Sequence, residues 1–534
     1  MKISLAQINT TVGDIKSNYK LIVKHAKIAQ KSNADILITP ELGICGYPPE
    51  DLLLNKDFIQ ECTNSLLKIA KEFPNIRIIV GHPRSFKGLL FNSASILYKG
   101  KIEKSYDKQM LPNYGVFDEK RYFQAGNKTL TFSHKGKKFG LLICEDIWDK
   151  GPTEKLLNVD FIICINASPY EINKYEKRIK ELRKRVTLSN CTLIYLNLVG
   201  GQDDLLFDGG SFIYNRRCGV IVRLKQFKSE NKIIDLEKIV KINGIEKIQI
   251  NESPIKVLLN GLILALKDYL LKNSIKNIFI GLSGGIDSAV VLYIATQASK
   301  KENITAIMMP SAYTSKVSLE DAKKLTNKLS ITYKVNSIEP LMKSFDKSLF
   351  EEFKNLPKDI TEENIQARIR GVLLMAYANK FKGIVLSTSN KSEVAVGYST
   401  LYGDMVGGFS VLKDVPKTLV YKIAEEINNP NQIIPKRILT RAPSAELADN
   451  QTDQDSLPNY EILDSIIDLY VEKNKSIKMI INEGYSAQVV RKVIKLIQMN
   501  EFKRRQAAPG PKVTHKAFGK DRRYPITSKY NPFI

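Results

Sequence analysis

Short apolar runs alternate with amphipathic stretches through most of the 534 residues. They fall into two blocks. In the first, the apolar runs predict strands at Lys2–Ile8, Ile36–Thr39, Ile76–Gly81, Ser93–Tyr98, Phe139–Ile143, Phe161–Asn166 and Thr192–Asn197. Several are unbroken and rich in β-branched residues, as expected of strands covered on both faces. Between them, helical spacing predicts helices at Asn18–Lys31, Phe58–Glu72 and Lys174–Ser189. From about Arg223 to Lys256 the texture changes to Lys, Ile, Glu and Asn without turn punctuation, which reads as an inter-domain connector with some structure of its own. The second block resumes with a helix at Val257–Asn273 and strands at Asn277–Leu282, Ile304–Met309, Thr332–Val335 and Gly383–Ser387. Strand alternating with helix argues for an α/β protein and, in this block, for a parallel, doubly wound sheet. The expected division is 1–245 and 246–534, two domains of ordinary size.

Composition changes this picture little. Hydrophobic residues make up 43% and charged ones 26%, as in a soluble globular protein. Lys and Arg outnumber Asp and Glu by 81 to 56, a formal net charge of +25. That balance favours polyanions, among them nucleic acid and nucleotides with several phosphates; a solvated lysine-rich surface explains it equally. Nine basic and two acidic residues crowd the last 34 positions. The six cysteines, at 45, 62, 144, 164, 191 and 218, form no CxxC pair, which argues against a zinc site or a disulfide framework. The opening MKISLAQINT reads as a buried strand rather than a signal peptide, and no apolar run is long enough to span a bilayer. A cytoplasmic protein with reduced thiols is the simplest expectation.

Candidate chemistry is concentrated in a few segments. Gly281, Leu282, Ser283, Gly284, Gly285, Ile286, Asp287 and Ser288 follow a predicted strand and precede a helix predicted at Ala289–Ser299. The glycines let successive N–H groups turn toward one anion at a helix N-terminus, and Ser283 and Ser288 add hydroxyls. Asp287 opposes a bare phosphate, so a carboxylate here implies Mg2+ between it and the phosphates. The loop lacks the terminal Gly-Lys-Ser/Thr of a Walker sequence. It resembles the SGGxDS pyrophosphate loop of the N-type ATP pyrophosphatases, which implies transfer of AMP onto a substrate oxygen, release of pyrophosphate, and attack by a nitrogen or sulfur nucleophile.

Downstream, Glu363-Asn-Ile-Gln-Ala-Arg-Ile-Arg370, Ser387-Thr-Ser-Asn-Lys-Ser-Glu393 and Tyr398-Ser-Thr-Leu-Tyr-Gly-Asp-Met405 resemble segments of the NAD synthetase family. The resemblance implies that Thr388, Lys417 and Ser444 contact ATP together with the loop. It implies that Glu393 holds Mg2+ with Asp287 and lies beside deamido-NAD(+), and that Asn364 contacts the dinucleotide. Lys503, within Phe502–Arg505, and His515 with Lys516 match segments that close over it. Leu401 departs from the pattern, standing where ammonia-only enzymes often carry lysine.

In the first block, Glu41, Lys108 and Cys144 each follow an extended segment, where a sheet presents its chemistry. A thiol near neutral pH is mostly protonated and needs a base. Glu41 suits that role and can return the proton to leaving ammonia. Lys108, with the backbone N–H after Cys144, can stabilise a tetrahedral oxyanion. The remaining cysteines read as inert buried thiols. Glu-Lys-Cys in this order resembles the nitrilase (carbon–nitrogen hydrolase) superfamily over roughly residues 1–222, which implies a four-layer α-β-β-α sandwich and a thioester intermediate. Glu119 matches a second glutamate that supports the lysine and substrate. The segments Pro40–Leu52, Leu111–Phe123 and Gly200–Ser211 are similar to the glutaminase half of NAD synthetases. By that match Tyr114, Ser168 and Lys174 hold glutamine, with Lys177 or Arg178 as substitutes for Lys174.

Together the resemblances imply glutamine-dependent amidation of deamido-NAD(+) with ATP and Mg2+. They also imply a homo-oligomer, often an octamer, with ammonia passing through the protein. Two other readings remain: a glutamine amidotransferase with a pyrophosphate loop and a different acceptor, and a nucleic-acid-binding protein using the positive charge. The chain shows no zinc ribbon, helix-turn-helix or RNP-type aromatic pattern for the latter.

Overall fold

The computed structural model describes residues 1–148, 150–156, 158–189, 191–240 and 252–530. It divides into two compact units, Met1–Glu252 and Ser253–Ile534. The boundary expected at 245/246 lies outside the described residues, as does the middle of the expected connector.

In the first unit the strands are β1 (Lys2–Gln7), β2 (Ile36–Ile38), β3 (Arg77–Phe86), β4 (Leu89–Tyr98), β5 (Lys101–Asp107), β6 (Leu130–His134), β7 (Lys137–Ile143), β8 (Phe161–Asn166), β9 (Thr192–Asn197), β10 (Val199–Gln202), β11 (Leu205–Asp208), β12 (Phe212–Asn215), β13 (Gly219–Arg223) and β14 (Glu230–Asp235). They form two six-stranded sheets, ordered β14-β1-β2-β3-β4-β5 and β13-β12-β9-β8-β7-β6, and a β10-β11 ribbon. Each large sheet has a parallel centre, β1-β2-β3 in one and β7-β8-β9 in the other.

Side-chain alternation explains the layering. Ile3, Leu5, Ile36 and Ile38 of the first sheet share a core with Leu141, Ile143, Ile163 and Ile165 of the second. Ala6, Leu37, Ile78 and Val80 instead pack with Ile22, Val23, Ile59 and Leu66, from helices Ile15–Lys31 and Lys56–Glu72. Leu182 and Val186 of helix Lys174–Ser189 join the core on the far side of the second sheet. The result is the expected α-β-β-α sandwich. Each fully buried Ile or Leu contributes roughly 1.5–3 kcal/mol of burial free energy. The first two helices start earlier than expected because their polar first turns are capped: Asp14 accepts from Ser17 N–H and Asn55 from Asp57 N–H.

One expectation is corrected. Residues 230–235 of the supposed connector are a strand of the first sheet, antiparallel to β1 from Lys2↔Asp235 to Gln7↔Glu230. This edge strand is mostly polar and half-buried, so its apolar signal is weak.

The second unit contains β15 (Asn277–Gly281), β16 (Ile304–Met308), β17 (Thr332–Val335), β18 (Gly383–Ser387) and β19 (Phe409–Ser410). They form one parallel sheet ordered β17-β16-β15-β18-β19. Helix Ile360–Lys380 covers one face, packing Ile369, Leu374 and Ala378 with Phe279, Ile307 and Val385. Helix Ile286–Ala298 follows β15 and packs with helices Pro254–Lys272 and Lys417–Ile427. Strand order reverses at β15, so its C-terminal end and that of β18 flank the crevice where open α/β sheets bind ligands.

Candidate active sites

In the first unit, β2, β5 and β7 end just before Glu41, Lys108 and Cys144. Cys144 opens a short turn with φ at 44°, a left-handed conformation that turns the chain sharply off the strand. The Lys108 ammonium is buried between two carboxylates, donating to Glu41 Oε1 at 2.7 Å and to Glu119 Oε1 at 2.7 Å. Glu41 also accepts from Asn92 Nδ2 at 2.8 Å and, on Oε2, from Ala167 N–H at 2.8 Å. Tyr47 donates its hydroxyl to Glu119 Oε1 at 2.9 Å.

The electrostatics follow from this packing. Burial opposes charge on Lys108, but Glu119 and Glu41 outweigh it and hold the ammonium well above its usual range. Burial pushes the Glu119 carboxyl up to about 7, Lys108 opposing and Glu41 adding to the rise. Burial, reinforced by Glu41, pushes the Cys144 thiol up. A thiol held protonated requires a base to react. A further buried carboxylate, Asp146, fastens the cysteine turn to the lysine segment. It accepts from Ile143 N–H at 3.1 Å, Gln109 N–H at 3.0 Å, Met110 N–H at 2.8 Å and the Tyr106 hydroxyl at 2.8 Å.

The residues expected around glutamine are less uniform. Tyr114 is exposed and donates its hydroxyl to Glu145 at 2.9 Å. Ser168 is buried, its N–H on Asn197 Oδ1 at 2.9 Å. Lys174 donates to the Pro169 carbonyl at 2.8 Å, and burial followed by Arg178 brings its ammonium down to about 8. Of the two substitutes, Lys177 pairs with Glu171 at 3.0 Å and Arg178 is buried against Asp208 at 3.2 Å.

In the second unit, a cavity of about 260 Å³ opens at the C-terminal ends of β15 and β18. The whole Gly281–Ser288 loop lines it, as do Thr388, Glu393, Lys417 and Ser444. The helix after the loop starts at Ile286, so Asp287 and Ser288 sit in its first turn. Gly284 has φ at 79°, and a Cβ there would lie 2.7 Å from the Ser318 carbonyl, so glycine is required. Lys417, buried, donates to Asp287 Oδ2 and to Glu393 Oε1 at 3.2 Å. Asn390 Nδ2 donates to Asp287 Oδ1 at 3.0 Å. Burial pushes Glu393 up to about 8; Lys417 opposes and Asp287 adds. Among the described residues no group of three or more His, Cys, Asp or Glu is arranged to hold a metal. The two carboxylates already converge on one cation, the Lys417 ammonium. That donor set fits a Mg2+ completed by phosphates and water rather than by a protein cage.

The structure does not bring the expected dinucleotide residues into this cavity lining, Glu393 excepted. Asn364 accepts from the Thr400 hydroxyl at 2.7 Å, and Lys503 donates to the carbonyls of Gly397 and Ser399 at 2.8 and 2.7 Å. His515 is exposed and Lys516 half-buried. Leu401 offers its carbonyl to Arg368 at 3.2 Å. Sequence reasoning missed Asn92, Asp146, Asn390, Arg370 and Arg441. Asn390 and Arg370 lie inside motifs already singled out, and Asp146 two residues after Cys144; Asn92 and Arg441 carry no local signal. Arg370 and Arg441 both line the cavity, Arg370 donating to the Met309 carbonyl at 3.0 Å and Arg441 to the Gly284 carbonyl at 3.4 Å.

These geometries define a two-part enzyme: a cysteine amide hydrolase joined to a nucleotide-binding α/β unit. Residues 2–239 match the carbon-nitrogen hydrolase family and residues 258–507 the NAD synthase family. The glutamine-dependent NAD(+) synthetase of Acinetobacter baylyi is 45% identical over 540 residues, covering 99% of both chains. A solved glutamine-dependent NAD+ synthetase from Acinetobacter baumannii, in complex with ADP, is 41% identical, with a TM-score of 0.80 over 98% of both chains. One from Cytophaga hutchinsonii, 23% identical, shares the fold with a TM-score of 0.84 over 99% of this chain and 98% of that one. The chain belongs to the glutamine-dependent NAD(+) synthetase family.

Proposed function

We propose that this chain converts deamido-NAD(+), ATP, glutamine and water to NAD(+), AMP, diphosphate and glutamate, the last step of NAD biosynthesis. One observation carries the reading. A single chain holds both buried Glu41, Lys108 and Cys144 close after the ends of three strands and a glycine loop whose Asp287 shares Lys417 with Glu393 at a cavity of about 260 Å³.

At the first centre Glu41 takes the thiol proton as Cys144 Sγ attacks the glutamine amide carbon. Lys108 and the N–H of Glu145 receive the charge on the oxygen. Glu41 returns the proton to the leaving nitrogen, ammonia departs, and a thioester remains. Glu41 then deprotonates a water that hydrolyses it to glutamate, restoring the thiol. Tyr114, Ser168 and Lys174, with Glu119, are the residues we assign to glutamine. Lys174, a cation, is assigned to the α-carboxylate.

At the second centre the loop N–H groups cradle the ATP phosphates, with Thr388 and Ser444 beside them. Asp287 and Glu393 would hold Mg2+, which neutralises phosphate charge when bound. Lys417, between the two carboxylates, is placed to meet the same charge. The nicotinate carboxylate attacks the α-phosphorus and diphosphate leaves; ammonia then attacks the activated carbon and AMP leaves. Asn364, Glu393, Lys503, His515 and Lys516 are assigned to the dinucleotide. Among the described residues no helix is long and apolar enough to cross a membrane. The location we assign is the cytoplasm, with reduced thiols. A homo-oligomer, an octamer by family resemblance, completes the reading.

The test is NAD(+) formation by the purified chain from deamido-NAD(+), Mg-ATP and glutamine. Absence of product with both glutamine and ammonium as donors sinks the reading. Glutamine-dependent AMP release onto a different acceptor would favour the other amidotransferase.

A further inference from the structure

The Ser387–Glu393 segment contains a residue that the reaction above does not use. Lys391 is 1% exposed, yet it stands between Asn390, which holds Asp287, and Glu393, which holds Lys417, each two positions or fewer away. Its ammonium reaches Asp414 Oδ1 at 2.9 Å, the Thr514 hydroxyl at 2.6 Å, the Lys516 carbonyl at 3.0 Å, and Glu472. The same two carboxylates hold the C-terminal segment directly. Asp414 accepts the N–H groups of Val513 and Thr514, both at 2.8 Å, and Glu472 accepts the N–H of Lys516 at 2.6 Å. Lys512 closes the segment by donating to the His515 carbonyl at 2.6 Å while pairing with Asp521 at 2.7 Å.

A buried ion cluster is a poor way to gain stability, because well-packed apolar side chains of similar volume do as well or better. What it supplies is one geometry. Every acceptor around the Lys391 ammonium either belongs to residues 512–516 or grips them. Those residues therefore have a single seat relative to the tetrapeptide Asn390–Glu393, with Val513 buried and His515 exposed.

We propose that Lys391 is a positioning residue. It registers the C-terminal strap 512–516 against the turn that carries Asn390 and Glu393, so that strap and ATP-site carboxylates present one rigid surface to the dinucleotide. The inference rests on the reading that this unit amidates deamido-NAD(+). Lys391 touches neither substrate nor the reacting atoms.

The experiment uses the full chain with Lys391→Met, assayed with ammonium as donor so that the cysteine centre is bypassed. The KM for deamido-NAD(+) is expected to rise by about tenfold, the equivalent of losing one hydrogen bond to a charged group, with kcat little changed. Glutamine hydrolysis at Cys144 should be unaffected. A residue that only stabilises the fold would lower the active fraction, and hence apparent kcat, at constant KM; that result overturns the proposal. Should Lys391→Met fail to fold, Thr514→Val decides, since it removes one neutral hydroxyl from the same cluster. Its expected KM rise is about threefold, and an unchanged KM overturns the proposal. A wild-type chain that makes no NAD(+) would instead be a failure of the functional reading, not of this inference.

Discussion

Both units set a buried lysine between two carboxylates, Lys108 between Glu41 and Glu119 and Lys417 between Asp287 and Glu393. In both, burial and a like-charged neighbour drive one carboxyl toward neutrality, Glu119 to about 7 and Glu393 to about 8. The difference lies in what surrounds them. Glu41 and Glu119 are 0% and 5% exposed, and Asn92, Ala167 N–H and Tyr47 also donate to them. Asp287 and Glu393 are 16% and 17% exposed and line a cavity. The first cluster is tied down by neighbouring protein groups. The second keeps carboxylate surface turned toward space that a cation and phosphates can fill. The same lysine–carboxylate arrangement is thus closed over in one place and open to a cavity in the other.

The sharpest way to break this comparison is to remove one function and watch the other. Cys144→Ala should abolish NAD(+) synthesis from glutamine while leaving synthesis from ammonium intact, measured by NAD(+) formation with each donor. Equal loss with both donors in a folded variant would overturn the division of labour. Asp287→Ala should show the converse, with synthesis lost for both donors and glutamate release from glutamine retained in part.

Much of this was legible in the sequence, and the reasons differ between the units. The parallel central strands announce themselves as apolar runs because both of their faces are covered, and Phe139–Ile143 and Phe161–Asn166 fall where the pattern puts them. Polar edge strands such as Glu230–Asp235 do not, since their half-exposed positions lack a period. Glu41, Lys108 and Cys144 were legible because their neighbours form motifs. Asn92 was not: it lies mid-strand in β4 and acquires its meaning only when the strand order brings it to Glu41. The seats of Lys503 and His515 were equally invisible, because an exposed basic tail and a fastened strap read alike in composition.

A smaller effect separates the two lysines by stability. Lys108→Met leaves two carboxylates buried with reduced compensation, a loss of about 3–5 kcal/mol. Lys417→Met exposes its carboxylates to cavity water and should cost less, about 1–3 kcal/mol. Urea unfolding followed separately for each unit checks the order; a larger loss for Lys417→Met would mean that its cluster is as closed as the first.

The smallest effect concerns protons. The Glu119 carboxyl stands at about 7 against an ordinary 4.5, so the folded first unit holds this proton more tightly than the unfolded chain does. Its contribution to stability is present in full below 4.5 and is lost as pH rises through about 7. Glu119→Gln should flatten that loss, and should also remove an inflection near 7 from the pH profile of glutamine hydrolysis, because ionising Glu119 changes the charge facing Lys108. The inflection belongs to the coupled Glu41–Lys108–Glu119 cluster rather than to one atom. Since Lys108, Asn92, Ala167 N–H and Tyr47 hold those carboxylates, its position should not move when Mg2+ is added. A Mg2+-dependent shift of the hydrolysis profile would show that the first centre, too, answers to a bound cation, and the contrast between the two centres would fail at its root.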